Sequence, residues 1–366
     1  HISNYEVHYF GRESGEGYFN LPNCHLIQGP SETRTFERAL YTITGRSKRL
    51  LREIKSVSPV LLHAHFGVEG VYALSFARSL GIPLVTTFHG FDATVSVWGL
   101  VKTGKVSWIR YAAYINRLKK QGKCFIAVSE YVRRKLIERG FPAERTIVHY
   151  VGIDPHRFTP GSNEDDGRTV LTVGRLVENK GTEYLIRAIA MIRSEFPTVQ
   201  LEVVGDGPLF PSLQRLAAEL GVSRQIVFRA SLTYDEVASC MKKASVFCLP
   251  SVTAKNGAAE GLGLVLLEAA ASLKPVVGTF NGGIPEAVNN GVNGFLVPER
   301  DVHALADRIL SLLKNRTLRR EMGNAGRKRV ERDFNLFKQS RKLEHLYQKI
   351  IKTNAHPQPQ EIRETY

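Results

Sequence analysis

The chain of 366 residues is 43% hydrophobic, enough for two packed domains, and its apolar runs are too short for a transmembrane helix of roughly 20 residues. The net charge of +15 is uneven, since residues 1–160 hold 22 Lys and Arg against 12 Asp and Glu, which suits an acidic partner such as nucleic acid, anionic lipid or a phosphorylated substrate. The four cysteines lack CxxC spacing, which argues against zinc or redox sites and is typical of reduced thiols in the cytoplasm.

The first 160 residues alternate between strand-like and helical segments. The predicted strands are SPVLLHAHF, PLVTTFH, CFIAVS and TIVHY, and the predicted helices are GVYALSFARSLG, residues 105–121 and EYVRRKLIERG. This alternation predicts an α/β domain, 1–160, in which helices cover both faces of a parallel sheet.

A polar stretch with Pro and Gly, IDPHRFTPGSNEDDGR, predicts a linker with a boundary near Pro160. A second domain, 161–334, follows with predicted strands RTVLTVGR, VQLEVVGDG, QIVFR, SVFCLP, PVVG and GFLV. The last segment, 335–366, is predicted to be a long helix to about Asn354 and a polar, mobile tail, HPQPQEIRETY.

Loops after the strands of the second domain are candidate ligand sites, because doubly wound sheets bind ligands at the carboxyl ends of their strands. Arg175 and Lys180 lie just before a helix that begins near Thr182. At this helix start the positive side chains, the free N–H groups and the helix dipole all attract anions, which suits a diphosphate. The alternative is two solvated cations in a loop. The next strand ends in VGDGP, whose glycines permit the close approach of a ligand.

A third loop belongs to EGLGLVLLEAAASLKPVVG, residues 260–278. Its glycines leave N–H groups accessible at the start of a helix predicted from about Leu264 to Ser272, where they can cradle a sugar diphosphate. Glu260 lies in the loop and Glu268 inside the helix, where a buried carboxylate needs hydrogen bonds such as a hydroxyl-rich ligand supplies. Alternatively, Glu268 meets a basic residue of the protein and Glu260 favours the helix dipole.

These motifs together resemble the retaining glycosyltransferases of family 4. The resemblance rests on VGRLVENKG, VGDGP, LPS, EGLGLVLLE, GGIPE and NGFLV, and in the first half on HAHFG, TFHGFD, AVSEYVRRKL and VGIDPHRF. The similar members are bacterial enzymes that build lipopolysaccharide, capsule or exopolysaccharide. The resemblance implies the GT-B fold, in which two facing Rossmann-like domains bind acceptor and donor and a C-terminal helix crosses back to the first domain.

The resemblance also implies roles for residues of the donor site. Arg175 and Lys180 would bind the donor diphosphate and stabilise the leaving nucleotide in place of a metal ion. Glu260 would contact the donor sugar, and Glu268 would hold the ribose. The other implied donor-binding residues are Gly174, Gly205, Asp206, Phe228, Arg229, Gly261, Leu262, Gly263, Leu264 and Val265. Phe228 and Arg229 would line the base pocket.

On the acceptor side, His89 matches a histidine close to the transferred sugar and completes the implied catalytic set with Arg175, Lys180 and Glu260. The default for an isolated histidine is a structural hydrogen bond. Asp92, His63 and His65 match positions that shape the acceptor cleft. Alternation along the strand predicts that His63 and His65 point to opposite faces, which would exclude a two-histidine metal pair.

Two further segments carry expectations. The chain begins at NYEVHYFG, which is similar to the second strand of the family, so the resemblance implies that the first strand, Gly-rich loop and helix are missing from a truncated sequence. Residues 105–123 mix aromatic and basic side chains, which suits an anionic membrane surface at the inner face of the plasma membrane. In the alternative, the aromatic residues fill the domain core.

The sequence therefore predicts a retaining hexosyltransferase that needs no cofactor or metal. It would move a hexose from a UDP-, GDP- or dTDP-sugar to a hydroxyl of a lipid-linked or growing glycan. No carboxylate pair at hydrolase spacing is evident, so we expect front-face substitution in which the leaving phosphate takes the acceptor's proton. Alternatives are a nucleotide-sugar 2-epimerase of the same fold and a non-catalytic nucleic-acid-binding protein. Because no nucleic-acid-binding motif is evident, no nucleic-acid partner is expected.

Overall fold

The computed structural model describes residues 2–11, 23–26, 32–161 and 165–355, without the side chains of 32–36 and 355. The chain divides into two compact units. The first unit contains the described parts of His1–Ala127, Lys135–His149 and Ser340–Tyr366, and the second contains those of Val128–Arg134 and Tyr150–Gln339. The domain limits near residues 160 and 334 stay predictions, and the predicted polar tail, 356–366, lies outside the described residues.

The elements before residue 150 include all four strands predicted there. They are β1 (Tyr9–Gly11), β2 (Cys24–Leu26), α1 (Glu32–Thr44), α2 (Lys48–Ser56), β3 (Leu62–His65), α3 (Gly67–Leu80), β4 (Leu84–Phe88), α4 (Phe91–Thr94), α5 (Val97–Val101), α6 (Val106–Gln121), β5 (Cys124–Ala127), α7 (Glu130–Glu138) and β6 (Thr146–Val148). Strands β3, β4, β5 and β6 form a parallel sheet in that order. Strands β1 and β2 form a separate parallel pair.

The elements after residue 150 include all six strands predicted in the second half. They are β7 (Thr169–Val173), α8 (Thr182–Glu195), β8 (Gln200–Val204), α9 (Phe210–Glu219), β9 (Ile226–Arg229), α10 (Tyr234–Lys243), β10 (Val246–Leu249), α11 (Leu264–Ala271), β11 (Val276–Thr279), α12 (Ile284–Ala287), β12 (Gly294–Val297), α13 (Val302–Lys314), α14 (Arg316–Asp333) and α15 (Leu336–Ala355). Short 3₁₀ helices lie at Ala143–Arg145, Glu178–Lys180 and Ser223–Gln225. The six strands form one parallel sheet in the order β12-β11-β10-β7-β8-β9.

The central strands of both larger sheets are buried, which is typical of parallel sheets. Strands β4, β5, β10 and β11 are buried at every position, as expected when helices cover both faces of a sheet. In the second unit, apolar side chains from α8, such as Leu185 and Ile189, pack into one core with Leu201 of β8 and Ile309 of α13. The predicted α/β architecture is therefore confirmed. Among the described helices, none combines the length and apolarity needed to cross a bilayer.

The last helix, α15, contributes to the core of the first unit. Ile350 packs against Val85 of β4 and against Cys124 and Ile126 of β5. The same helix carries Glu344, whose carboxylate accepts hydrogen bonds from the backbone near the N-terminus, including Asn4 N–H at 2.9 Å. Residues 340–355 are thus an integral part of this unit, although they are distant from it in sequence.

We expect Ile350→Ala to lower the free energy of unfolding by about 2–4 kcal/mol, because it removes buried methylene groups and leaves a cavity beside β4 and β5. Urea denaturation followed by circular dichroism measures the change. The control is Lys349→Ala on the exposed side of the same helix, for which we expect a change below about 0.5 kcal/mol. Equal effects of the two substitutions would contradict the packing role of Ile350.

Candidate functional site

The order of strands in the second unit places two predicted loops side by side. The chain adds β8 and β9 on one side of β7, then adds β10, β11 and β12 on the other. The loops after β7 and β10 therefore leave the sheet in opposite directions, and a crevice opens between them at the carboxyl ends of the strands. Lys180 follows β7 and Glu260 follows β10, so the topology brings these distant residues to one edge.

Lys180 and Glu260 are in direct contact. The Lys180 Nζ lies 2.7 Å from Glu260 Oε2, and the Ser251 hydroxyl donates to the same oxygen at 3.1 Å. Both side chains are largely but not completely buried, at 22% and 14% exposure. An ion pair that is partly shielded from water and open on one side can exchange partners with a charged, hydroxyl-bearing ligand.

Gly181 allows the two loops to approach this closely. It has φ of +64°, and a Cβ at this position would lie 2.0 Å from the carbonyl oxygen of Pro250, directly after β10. Any other residue would clash with this backbone. A hydrogen bond from Val252 N–H to the Asn179 carbonyl, at 2.9 Å, joins the same loops. The backbone thus fixes Lys180 beside the chain that leads to Glu260.

The remaining predicted residues after β7 and β8 lie at the carboxyl ends of these strands, and Gly174 is next to Lys180. Gly174 lies beside the aliphatic part of Lys180, because a Cβ there would be 3.6 Å from the lysine Cε. Gly205 packs against the backbone of Gly174, because a Cβ on Gly205 would lie 2.1 Å from the Gly174 carbonyl oxygen. Arg175 and Asp206 are exposed at the ends of these strands. The exposed Arg175 adds positive charge to the Lys180 side of the crevice.

Glu268 is buried in α11, as the sequence predicts. Its side chain is 6% exposed, and Oε1 accepts a hydrogen bond from the Tyr234 hydroxyl at 3.0 Å. Burial raises the pKa of Glu268 to about 7, although the Tyr234 hydrogen bond opposes this shift. The hydrogen-bond partner is a tyrosine rather than the basic residue of the alternative interpretation. Near neutral pH both the acid and the carboxylate forms of this group are therefore populated.

The predicted phosphate-binding segment forms the start of α11. Gly261, Leu262 and Gly263 are buried, and Gly263 is the N-cap residue; among the described residues, no side chain caps the helix. Leu264 and Val265, the first two helical residues, are partly exposed. An uncapped helix start offers its N–H groups to an anion.

Phe228 and Arg229 lie at the end of β9, on the edge of the sheet. Phe228 packs edge-to-face against Phe210, with ring centroids 5.5 Å apart. Arg229 forms an ion pair with Glu202 of β8 and stays half exposed. Their place in a base pocket stays a prediction.

The prediction that His63 and His65 point to opposite faces was wrong. The two residues lie two positions apart in β3, and side chains at i and i+2 share a face of a strand. Their rings stack with centroids 4.6 Å apart. The ring nitrogens of His63 contact Tyr347 OH at 2.5 Å and Thr87 Oγ1 at 2.7 Å. Burial and the neighbouring histidines lower the pKa of His63.

His89 extends this histidine cluster. Its Nε2 lies 3.0 Å from His65 Nδ1, so the two rings share a hydrogen bond. Burial, and then the neighbouring His65, lower the pKa of His89 to about 4. At neutral pH His89 is therefore an uncharged imidazole. Within the part of the chain that the structure describes, no cluster of three His, Cys, Asp or Glu side chains fits a metal ion.

Asp92 lies beneath the loop that carries His89. It is fully buried, and its carboxylate accepts N–H hydrogen bonds from Gly67 at 2.8 Å, from His89 at 3.1 Å and from Gly90 at 3.2 Å. Burial raises the pKa of Asp92 to about 6, against the effect of these hydrogen bonds. Its carboxylate thus binds the backbone of the loop that carries His89, and its place in an acceptor cleft stays a prediction.

Several residues of these sites were assigned no role from the sequence, although Ser251 lies in the LPS motif. Tyr234 contacts Glu268, and Ser251 contacts Glu260. Asn281 binds the backbone of Glu260. In the first unit, Arg139 donates hydrogen bonds to the carbonyls of Asp92, Ala93 and Val95. The partners lie 9 to 47 residues apart in sequence, and only the folded chain identifies these contacts.

The burial of Glu268 predicts a pH-dependent stability. Because its pKa rises from 4.5 to about 7 on folding, the folded state binds more protons between these values, and stability falls as pH rises through this window. We therefore expect Glu268→Gln to raise the free energy of unfolding at pH 8 by up to about 3 kcal/mol relative to wild type. The difference should disappear near pH 4.5.

Urea denaturation of both proteins across this pH range measures the effect. Glu219→Gln, which removes an exposed carboxylate from α9, is the control. If it shifted the pH dependence as much as Glu268→Gln, burial of Glu268 would not be the cause.

Comparisons with known proteins identify the family and the fold. The profile of "Glycosyl transferases group 1" matches residues 154–329, and that of "Glycosyltransferase Family 4" matches residues 3–157. The chain is 32% identical over 342 residues to a putative colanic acid biosynthesis glycosyltransferase, WcaL, of Salmonella typhimurium, covering 89% of this chain and 81% of that protein. It is also 32% identical to a GDP-mannose-dependent alpha-(1-6)-phosphatidylinositol monomannoside mannosyltransferase of Mycolicibacterium smegmatis, covering 78% of this chain and 75% of that protein.

Solved structures share the fold. Anabaena HepE, crystallised with UDP, has a TM-score of 0.70 and 22% identity, covering 82% of each chain. Sucrose-phosphate synthase of Thermosynechococcus elongatus has a TM-score of 0.73 and 22% identity, covering 94% of this chain and 88% of that chain. The parallel sheets, the two matched profiles and the identity to WcaL over 342 residues lead to one conclusion. The chain belongs to glycosyltransferase family 4, whose members are group 1 glycosyltransferases with the GT-B fold.

Proposed function

We propose that this glycosyltransferase transfers a hexose from a nucleotide-diphosphate sugar to a hydroxyl group of a glycan, with retention of the anomeric configuration. The observation that carries the proposal is the contact between Lys180 and Glu260 at 2.7 Å, beside the exposed Arg175. It combines cations for a diphosphate with a carboxylate for sugar hydroxyls in one crevice.

Leaving-group stabilisation is the main chemical role that we assign to the cations. Lys180 and Arg175 would face the diphosphate, where fixed positive charge stabilises the negative charge that develops as the bond to the sugar breaks. We propose that they do this without a metal ion. Glu260, released from Lys180 by the phosphate, would accept hydrogen bonds from the sugar hydroxyls.

Glu268 would hold the ribose. A carboxylate accepts two hydroxyl hydrogen bonds, which favour its charged form. Donor binding would therefore lower the pKa of Glu268 from its value of about 7. Glu268 is thus assigned to binding rather than to proton transfer.

We propose retention by direct substitution because neither Glu260 nor His89 suits the other routes to the product. Glu260 is engaged by Lys180 and Ser251, which disfavours its attack on the sugar carbon. His89, whose pKa is lowered to about 4, is a weak general base for an inverting displacement. We propose front-face substitution, in which the departing phosphate oxygen takes the proton of the acceptor hydroxyl. His89 would lie near the transferred sugar as a neutral hydrogen-bonding group.

Donor and acceptor classes are proposed from the relatives. HepE binds UDP and UDP-glucose, and the mycobacterial relative depends on GDP-mannose, so UDP-, GDP- and dTDP-sugars are all candidates. A thermal-shift screen of these sugars separates them, since a ligand at 100 times its Kd stabilises by about 2.7 kcal/mol. The names of the relatives, colanic acid and phosphatidylinositol mannoside, favour a growing polysaccharide or a lipid-linked glycan as acceptor.

The two alternative functions gain no support from these relatives, which carry the names of transferases. An epimerase would convert the donor to an isomeric sugar nucleotide without an acceptor. Incubation of the donor alone, followed by chromatography of the nucleotides, distinguishes epimerisation from glycosyl transfer.

A membrane contact of the first unit is the second part of the proposal. In α6, Tyr111, Ile115 and Leu118 fill the core, but Val106 and Ile109 are exposed. The helix also borders a cavity of about 1130 Å³, whose described lining includes five basic side chains and one acidic side chain, Glu37. The basic residues are Arg46, Lys48, Arg78, Arg110 and Arg117. The same lining includes the exposed Leu40 and Ile43, and positive charge beside exposed apolar groups suits an anionic lipid surface.

We expect Lys180→Ala to lower kcat at least 100-fold, because removing one group that stabilises developing charge has this effect in other enzymes. Steady-state kinetics with the identified donor measure the loss, and thermal unfolding checks that the protein remains folded. Lys328→Ala, which removes an exposed lysine from α14, is the control. Turnover within a few-fold of wild type would show that Lys180 lacks this role.

We expect Arg46→Glu/Arg117→Glu to weaken binding to vesicles of phosphatidylglycerol and phosphatidylcholine at least tenfold, since each basic residue near such a surface contributes about 1 kcal/mol. Sedimentation of vesicles in low and high salt measures the binding. The control, Arg224→Glu/Arg320→Glu, changes the net charge equally at exposed positions of the second unit. Wild-type protein that fails to sediment even in low salt would contradict the membrane contact.

A further inference from the structure

The backbone of Glu260 is fixed by the segment that follows β11. Asn281 Oδ1 accepts the Glu260 N–H at 2.9 Å, and Gly283 N–H donates to the Glu260 carbonyl at 2.9 Å. Gly282, with φ of +56°, allows this approach, because a Cβ there would lie 2.0 Å from the same carbonyl oxygen. Both polar groups of the Glu260 backbone are thus satisfied by one short segment.

Asn281 is itself held firmly. It is 1% exposed, and its Nδ2 donates to Glu299 Oε1 at 2.7 Å and to Thr253 Oγ1 at 3.1 Å. A buried amide whose oxygen and nitrogen are both engaged has one orientation, because a flip would place each group against a like group. The side chain therefore acts as a rigid spacer between Glu299 and Glu260.

Glu299 provides the fixed end of this chain of contacts. Its carboxylate accepts Thr253 N–H at 2.7 Å and the Thr253 hydroxyl at 2.9 Å, and it lies 3.2 Å from Arg300 Nη1. Burial raises the pKa of Glu299, but the hydrogen bonds from Asn281 and Thr253 outweigh it and hold the pKa below its usual range. The carboxylate is therefore charged at neutral pH and is a strong acceptor for Asn281.

We propose that Asn281 is a positioning residue for the donor sugar, which sets the Glu260 carboxylate against Lys180 and is itself oriented by Glu299. The proposal rests on the proposed function, in which Glu260 contacts the donor sugar. The three residues lie after three neighbouring strands, β10, β11 and β12, so the sheet fixes their separation. Loss of the Asn281 contact would free Glu260 to move while leaving the nucleotide contacts of Glu268 in place.

An amide is required at this position for a specific reason. Asp at position 281 keeps an oxygen for the Glu260 N–H, but it has no N–H for Glu299 and would place two carboxylates about as close as the present 2.7 Å contact. Like charges at this distance repel strongly. Glu299→Gln supplies the missing N–H group from the other side, so Asn281→Asp/Glu299→Gln rebuilds the contact with donor and acceptor exchanged.

The test compares Asn281→Asp, Glu299→Gln and the double variant with wild type. Isothermal titration measures Kd for UDP-glucose against UDP, and for GDP-mannose against GDP, using the pair that wild type binds. We expect each single variant to weaken sugar-nucleotide binding about tenfold or more, the size of one lost hydrogen bond to a charged group. The Kd of the free nucleotide should change less than twofold, and the double variant should recover most of the loss.

Asn293→Ala is the matched control, because Asn293 is also 1% exposed and its Oδ1 accepts a backbone N–H, that of Asn289. We expect it to lower thermal stability without changing the ratio of the two Kd values. If the double variant binds the sugar nucleotide no better than Asn281→Asp, or if both nucleotides weaken equally, the positioning role is overturned. If wild type binds neither pair and turns over neither sugar nucleotide, the proposed function fails instead.

Discussion

The contact between Lys180 and Glu260 depends on the strand order of the second unit, and the candidate site depends on this contact. Because β10 lies directly beside β7, loops that are 80 residues apart in sequence leave the sheet at neighbouring positions. The glycine at 181 then lets their backbones approach within a distance that no side chain would permit. The pair holds each charge in place before a ligand arrives, so binding exchanges one set of polar partners for another.

Burial gives the two predicted glutamates different chemistry. Glu260 lies at the surface of the crevice with a lysine and a hydroxyl, whereas Glu268 is inside α11 with only the Tyr234 hydroxyl as a hydrogen-bond donor among the described residues. The first remains engaged by opposite charge, and the second has a pKa of about 7. A fold that needed Glu268 only for packing would be more stable with an uncharged side chain there. This cost is consistent with a role in binding.

The first unit has a different distribution of polar and charged side chains. His63 and His89 have lowered pKa values and are linked through His65 at the ends of β3 and β4, with Asp92 fixing the loop around His89. A separate group of five basic side chains lies on the helices α1, α2, α3 and α6 or between them, where they border the cavity. A neutral polar site and a basic surface are therefore separate features of this unit, which its net charge alone does not reveal.

The sequence by itself determined ten of the twelve described strands, their parallel arrangement and the positions of the loops that carry Lys180 and Glu260, because alternating buried strands and amphipathic helices have distinct local periodicities. It also located Lys180, Glu260 and Glu268 through their motifs. It did not identify Tyr234, Ser251 or Asn281, and our inference from it placed His63 and His65 on opposite faces. Contacts between residues far apart in the chain have no local signature, and only the packing of the sheets and helices decides which polar groups meet and which carboxylate is buried.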